Sequence, residues 1–342
     1  MTRSAERVLA DAWRKRGVLA WSLWPVSLLF RALVAVRRAL YRIGLLATER
    51  MPVPVVVVGN VYVGGTGKTP FVIWLADELR RAGYVPGIIS RGYGASGDAP
   101  LEVMPDSAPQ QVGDEPALIA LRTGCPVMVG RDRVGVARAL LATHPEVNIL
   151  ISDDGLQHYR LARDVEIVLC DDRGNGNGWM LPAGPLREPA SRRRDFTVVN
   201  AGAIPDNVPP DTVQMRLAGD TAFRLSDRSL TVSLSELGAK AHGSRVLAAA
   251  GIGNPARFFS MLRGAGLTVE EMPLPDHFDY AVNPFAGISA DIILITEKDA
   301  VKCARTDTIN NDPRIWVVPV AARIDHALTG RIVEKCRGRP TA

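Results

Sequence analysis

The sequence predicts an α/β fold: a doubly wound, mostly parallel sheet, then a second, smaller α/β domain reached through a β-hairpin linker. Three observations carry this reading. Strand-like apolar runs alternate with helical stretches along most of the chain. The run at residues 55–58 is β-branched and unalternating, as expected of a strand buried on both faces of a parallel sheet. A glycine-rich turn, Gly64-Gly65-Thr66-Gly67-Lys68-Thr69, then leads into a stretch where Phe71, Leu75 and Leu79 share one side of a helix.

Strand, glycine turn and helix in that order make a P-loop. Glycines let the backbone curl so that its N–H groups and the helix N-terminus face an anion. Gly64, Gly65, Thr66 and Gly67 are therefore expected to cradle the phosphates of a nucleotide. Lys68 would reach the β- and γ-phosphates, and the Thr69 hydroxyl would ligate Mg²⁺. Pro70 is tolerable because first-turn N–H groups have no intrahelical partner. The loop departs from the usual Walker A spacing in having Tyr62 where that spacing asks for glycine. The Gly-Gly-x-Gly-Lys-Thr form is a variant with a different entry.

At 342 residues the chain is long enough for two domains of ordinary size. Its 47% hydrophobic and 23% charged residues describe a globular protein rather than a disordered one. Cys125, Cys170, Cys303 and Cys336 are far apart and form no Cys-x-x-Cys pair, which indicates neither a zinc site nor a disulfide framework and fits a reducing cytosol. The net charge is +5, with basic excess in the first fifty residues and at residues 187–194. No nucleic-acid-binding motif accompanies it, so an anionic membrane is the expected partner.

Residues 17–30 carry no charge, but a run of 14 is short of the roughly 20 needed to span a bilayer. No small-residue cleavage pattern follows, so a removable signal peptide is not expected. Beyond it, Arg31, Arg38 and Arg42 share one helical face, and Leu33, Val36, Leu40 and Ile43 occupy much of the rest. With Trp21 and Trp24, this composes a helix lying in a membrane interface, kinked at Pro25. A helix packed on the protein's own core has the same composition, and the sequence leaves both readings open.

After the P-loop helix, residues 85–90 read as a strand ending in Arg91-Gly92-Tyr93-Gly94, a mobile binding loop or a plain turn. Gly113-Asp114-Glu115-Pro116 precedes a helical stretch. There the carboxylates are either caps or, beside a phosphate, a general base and a metal ligand. Residues 126–130 form a short strand, and Arg131 at its C-terminal end points at the ligand crevice of an α/β protein. Residues 147–158 end a strand in Asp153-Asp154, the form of a Walker B element that holds Mg²⁺. Gln157 and His158 follow closely enough to face the same site. Residues 172–189 are too rich in Gly, Asn and Pro for regular structure, and long loops of this kind are usually functional.

Residues 212–217 and 221–225 read as a hairpin joining two domains. A new α/β run follows, without a second P-loop. Within it, His277 stands between acids at residues 275–279, and Thr296-Glu297-Lys298-Asp299 sits at a strand end. Histidine between carboxylates can partner a catalytic acid across a domain cleft, or the loop can be bare surface. The expected division is an N-terminal membrane-interface helix region at 1–48, a P-loop domain at 49–210, a β linker at 211–235 and a C-terminal α/β domain at 236–342.

The segments GNVYVGGTGKTP, SRGYG, VGDEP, ISDDGLQH, GNGWMLPAGPLREP, PDHFDY and ITEKDAVK stand in this order between Gly59 and Lys302. Together they resemble the tetraacyldisaccharide 4'-kinase family of Gram-negative bacteria. The resemblance implies transfer of the ATP γ-phosphate to the 4'-hydroxyl of tetraacyldisaccharide 1-phosphate, giving lipid IVA in lipid A biosynthesis at the cytoplasmic face of the inner membrane. It implies Asp114 as base toward the sugar hydroxyl with His277 as its partner. Glu115, Asp153, Asp154 and Thr69 would serve Mg²⁺, with Gln157 and His158 beside them. Arg131 would neutralise the transferring phosphoryl, and Tyr93 would contact the disaccharide or nucleotide. No nucleic acid and no obligate protein partner is implied. A membrane-recruited P-loop ATPase switch is the alternative, since this loop form also occurs there.

Overall fold

The computed structural model describes residues 11–92, 99–205, 208–240 and 243–337. Tyr93 lies outside the described residues. The strands through the first sheet are β1 (Val55–Asn60), β2 (Pro86–Ser90), β3 (Leu101–Glu102), β4 (Val127–Val129), β5 (Ile149–Asp153), β6 (Val165–Asp171), β7 (Phe196–Asn200) and β8 (Val213–Ala218). Then come β9 (Thr221–Arg224), β10 (Asp227–Ser233), β11 (Val246–Ala250), β12 (Glu270–Pro273), β13 (Ile292–Thr296), β14 (Ile315–Val318) and β15 (Ala321–Ile324). The helices that position the site are α1 (Val18–Arg42), α2 (Lys68–Arg81), α3 (Asp114–Thr123), α4 (Arg133–Thr143), α5 (Pro255–Gly264), α6 (Glu297–Cys303) and α7 (Ala327–Arg337).

The larger sheet has the order β15-β8-β7-β6-β1-β5-β2-β4-β3, parallel except at its two edge pairs. β1 is buried along its length because it pairs in parallel with β5 on one side and β6 on the other. Alternate β1 side chains feed two cores, as strand geometry requires. Val56 and Val58 pack with Phe71, Leu75 and Leu79 of α2, while Val55 and Val57 pack with Val134, Ala137 and Leu140 of α4. The smaller sheet, β10-β9-β14-β13-β11-β12, has a parallel centre of β14, β13, β11 and β12.

Two expectations change. Strands β8 and β9 do not form a hairpin with each other: β8 pairs with β7 and β15 in the larger sheet, and the antiparallel hairpin is β9–β10 in the smaller one. The chain also crosses back after β14, so residues 321–337 return to the larger sheet as β15 and α7. The two crossings run side by side: a Cβ on Gly219 would come within 2.7 Å of Pro319 O.

The N-terminal helix is longer than its uncharged run. α1 continues past Phe30 to Arg42, 25 residues or about 37 Å, and is long and apolar enough to cross a membrane. Of its residues only Ala20 and Ser27 are buried. Ser27 Oγ donates to Met180 O at 2.7 Å, and Phe30 and Val34 touch the core beneath. Its other side leaves Leu29 and Leu33 about three-fifths exposed, at 62% and 61%.

Candidate active site

The P-loop is built by tying its carbonyls outward. Asn60 Nδ2 donates to Tyr62 O at 2.7 Å and Gly64 O at 2.9 Å. Arg173 Nη2 donates to Gly65 O at 3.1 Å, and Asn200 Nδ2 to Thr66 O at 3.2 Å. That leaves the loop's N–H groups for an anion. Gly67 caps α2 in the left-handed conformation, φ 90°, and a Cβ there would lie 2.6 Å from Asn200 Nδ2, so only glycine fits. Tyr62 is accommodated because the loop entry is laced to the Gly/Asn/Pro-rich segment: Val63 N donates to Pro185 O at 3.0 Å and Arg187 N to Val61 O at 2.7 Å. The Arg173 guanidinium covers the Tyr62 ring at 4.3 Å.

Lys68 Nζ donates to Asn60 Oδ1 at 3.2 Å and lies 3.5 Å from Asp154 Oδ1. Asp153 is buried at the end of β5, accepting from Ser90 Oγ at 2.9 Å through Oδ2. Its Oδ1 is buried without a hydrogen-bond partner. Burial, then the Glu115 charge, pushes Asp153 up to about 6. Asp154 moves the other way: burial opposes ionisation, but Lys68 and Arg187 hold it below the usual carboxylate range. Its backbone φ is 49°, a strained value for aspartate. Arg131 lies exposed after β4, whereas Arg133 is buried and donates to Gly130 O at 2.6 Å and Asp153 O at 3.3 Å.

Gln157 Nε2 donates to Glu188 Oε1 at 3.2 Å. His158 is pushed down to about 4 by burial and by the charges of Arg133, Arg91, Arg37 and Arg163, so it is neutral at physiological pH. Gln157 is thus tied to the Gly/Asn/Pro-rich segment, and His158 O accepts from Arg163.

The two sheets meet at Asp114. The helix N-cap is Gly113, and Asp114, the first residue of α3, is buried with its carboxylate turned toward the smaller sheet. His277 Nδ1 lies 3.0 Å from Asp114 Oδ2 and 3.2 Å from Oδ1. Two ammonium groups one turn apart on α6 complete the contact. Lys302 Nζ donates to Asp114 Oδ2 at 3.4 Å and Lys298 Nζ stands 3.9 Å from it. Lys298 also pairs with Glu115 at 3.0 Å and Asp276 at 3.5 Å. Against the opposing effect of burial, His277 and both lysines hold Asp114 far below the usual carboxylate range. The same hydrogen bond raises His277, against its own burial and the Lys298 charge. Glu297, buried beside them, bonds Arg122 of α3. Sequence reasoning singled out the 296–299 patch but took neither its Lys298 nor Lys302, one turn further on, as an Asp114 partner, and it passed over Asn60, Arg133 and Arg187 as site residues.

A cavity of about 440 Å³ runs from the P-loop to the smaller sheet. Lys68, Thr69 and Glu115 line one part, and Leu217, Phe258 and Met261 give the remainder an apolar wall. A phosphate tail fits the first part and a base or ring the second.

The sequence family described as Tetraacyldisaccharide-1-P 4'-kinase matches residues 19–337. The chain is 63% identical over 339 residues to the tetraacyldisaccharide 4'-kinase of Janthinobacterium sp. (strain Marseille), covering 98% of both chains. It is 59% identical over 346 residues to that of Herminiimonas arsenicoxydans, covering 98% of this chain and 97% of the relative. Among solved structures, the "apo" form of LpxK from Aquifex aeolicus in complex with ATP superposes with a TM-score of 0.76 at 31% identity, over 93% of this chain and 100% of that one. With matches over nearly its whole length, this chain belongs to the tetraacyldisaccharide 4'-kinase family.

Proposed function

We propose that the chain transfers the γ-phosphoryl group of ATP to the 4'-hydroxyl of tetraacyldisaccharide 1-phosphate, giving lipid IVA, at the cytoplasmic face of the inner membrane. The observation that carries it is the Asp114–His277 contact, made across two sheets within reach of a P-loop. A phosphoryl transfer needs positioning and charge more than covalent help, and this cleft supplies both. In the solved Aquifex aeolicus relative the ligand is ATP.

Each residue then has a task. Lys68 and the N–H groups of Gly64 to Gly67 hold the phosphates. Asp114, kept ionised, aligns His277, and the pair accepts the proton of the sugar hydroxyl, with the raised His277 storing it. Arg131 is assigned to neutralising charge on the transferring phosphoryl and Tyr93 to contacting disaccharide or nucleotide, both from the family resemblance. The exposed Arg37 of α1 and Arg91, whose charges both act on His158, suit a lipid phosphate.

The residues also fit Mg²⁺. The partnerless Asp153 Oδ1, raised by burial and by Glu115, is the donor a divalent cation would satisfy. Among the described residues no three His, Cys, Asp or Glu side chains group as a metal cage, and phosphate oxygens would complete the shell. Thr69, Glu115, Asp153 and Asp154 would hold it, and it would neutralise charge developing between the β- and γ-phosphates.

α1, by its exposure, supports contact with lipid. It turns its apolar side outward, and Trp21 and Trp24 cluster with Trp179 at 4.8 and 6.2 Å. We read it as a monotopic anchor that brings the cleft to a membrane-embedded acceptor. The test is label transfer from γ-labelled Mg-ATP to tetraacyldisaccharide 1-phosphate in detergent, wild type against Asp114→Ala. Labelled lipid that vanishes in the variant, with ATP affinity retained, supports the reading. ATP hydrolysis by wild type with no labelled lipid would return the ATPase switch.

A further inference from the structure

We propose that Arg257 is a catalytic residue of this kinase, an arginine delivered from the smaller sheet onto the phosphate tail of the nucleotide. The inference rests on the function proposed above. Arg257 stands in the first turn of α5, just after β11, and lines the cavity together with Gly65, Thr66 and Lys68. The turn preceding it is pressed against the P-loop: a Cβ on Gly253 would lie 3.2 Å from Gly65 N. That close approach, which a side chain on Gly253 would crowd, places the start of α5 over the loop.

The nearer partner of Arg257 is exchangeable. Its guanidinium lies 2.8 Å from Asp172 Oδ1, on a side chain 64% exposed, and 3.9 Å from Asp171 Oδ2. An ion pair so open to water contributes little to stability, whereas a phosphate in an enclosed cleft offers charge-assisted, two-pronged bonds. Arg173 beside it is not available in the same way. It bonds Asp171 through Nε at 3.0 Å and Nη2 at 2.7 Å, bonds Gly65 O, and lies on Tyr62, so it braces the loop. Lys68 already faces Asn60 and Asp154. Arg257 is thus a cavity cation whose nearest partner is a solvent-exposed carboxylate.

In the transfer, the bond from Pγ to the β–γ bridging oxygen breaks and the bond from Pγ to the sugar 4'-oxygen forms. ADP leaves with the bridging oxygen, and the hydroxyl proton passes to the Asp114–His277 pair. Arg257 keeps its protons and donates to oxygens of the phosphates while charge redistributes over them. Because α5 and His277 both belong to the smaller sheet's half of the cleft, one approach of that half brings the arginine to the donor and the histidine to Asp114.

The test compares Arg257→Gln, Arg257→Ala, Arg257→Lys and Asp172→Asn in the full chain, all checked for wild-type melting. Lipid phosphorylation is measured at varied ATP. Expected is a fall in kcat of about 10³-fold for Arg257→Gln, little change in KM for ATP, and partial recovery in Arg257→Lys. Added guanidinium ion should raise the rate of Arg257→Ala, and Asp172→Asn should stay near wild type. Equal losses in Arg257→Gln and Asp172→Asn would make the pair a mere tie between the sheets and overturn the proposal. So would a folded Arg257→Gln of wild-type kcat, or a defect confined to KM for ATP. Wild type that phosphorylates no lipid would instead sink the function on which it rests.

Discussion

Replacing Lys302 by methionine removes one cation from the junction of the two sheets while keeping most of the side chain's volume. Lys302 is 6% exposed, as is the Asp114 side chain 3.4 Å away, and Asp299 at 4.0 Å is fully buried. Breaking a buried ion pair by deleting one partner costs about 3–5 kcal/mol. Two features lower that ceiling here. Asp114 keeps His277 at 3.0 Å and Lys298 at 3.9 Å, and Asp299 keeps Thr296 Oγ1 at 2.6 Å and Gly251 N at 3.1 Å. The lost contact is also at the long end of hydrogen-bond range. About half the ceiling, ~2 kcal/mol, is the expected loss, read from urea unfolding of wild type and variant. Because Lys302 touches Asp114 and not the P-loop, kcat for lipid phosphorylation should fall while KM for ATP holds. A loss of stability below about 0.5 kcal/mol, or a defect seen only in KM for ATP, would refute the reasoning.

Three other outcomes are expected. Gly67→Ala forces a Cβ onto Asn200 in a left-handed backbone, φ 90°, costing about 1–2 kcal/mol before any clash; calorimetry should show nucleotide binding lost, and wild-type affinity would contradict the loop geometry. Leu29→Glu with Leu33→Glu puts charges on the outward side of α1, so sedimentation with anionic vesicles should drop roughly tenfold or more while nucleotide affinity holds; unchanged sedimentation would remove α1 from the membrane. His277 is raised above its usual 6.5 by Asp114, so the stability of the protonated pair is fully present below 6.5 and lost as pH rises through the higher folded value. Since the pair accepts a proton only with His277 unprotonated, kcat should rise across that window on the alkaline side of 6.5, and an acid limb persisting unchanged in His277→Gln would exclude the histidine.

What the sequence determined by itself is whatever depends on neighbours in the chain. The strand, glycine turn and helix at 55–81 fold from local preference and burial, so the P-loop, Lys68 and Thr69 are legible from their order alone. The Asp153-Asp154 strand end is legible for the same reason, and so is the apolar character of α1. Only the tertiary structure decided the rest. Asp114 and His277 are 163 residues apart, and nothing in their spacing brings them to 3.0 Å; two sheets closing on each other do. Lys298 and Lys302 flank Asp114 because α6 docks against α3, a packing event that a charged patch at a strand end does not announce. Burial separates Arg133 from Arg131, although composition treats them alike. Local turn signals suggested pairing β8 with β9, yet the edge of the larger sheet offered β8 a better partner in β15, and that long-range pairing divided the two strands between sheets. Local order is written in spacing; which distant charges meet is settled when buried polar groups must find partners in a folded chain.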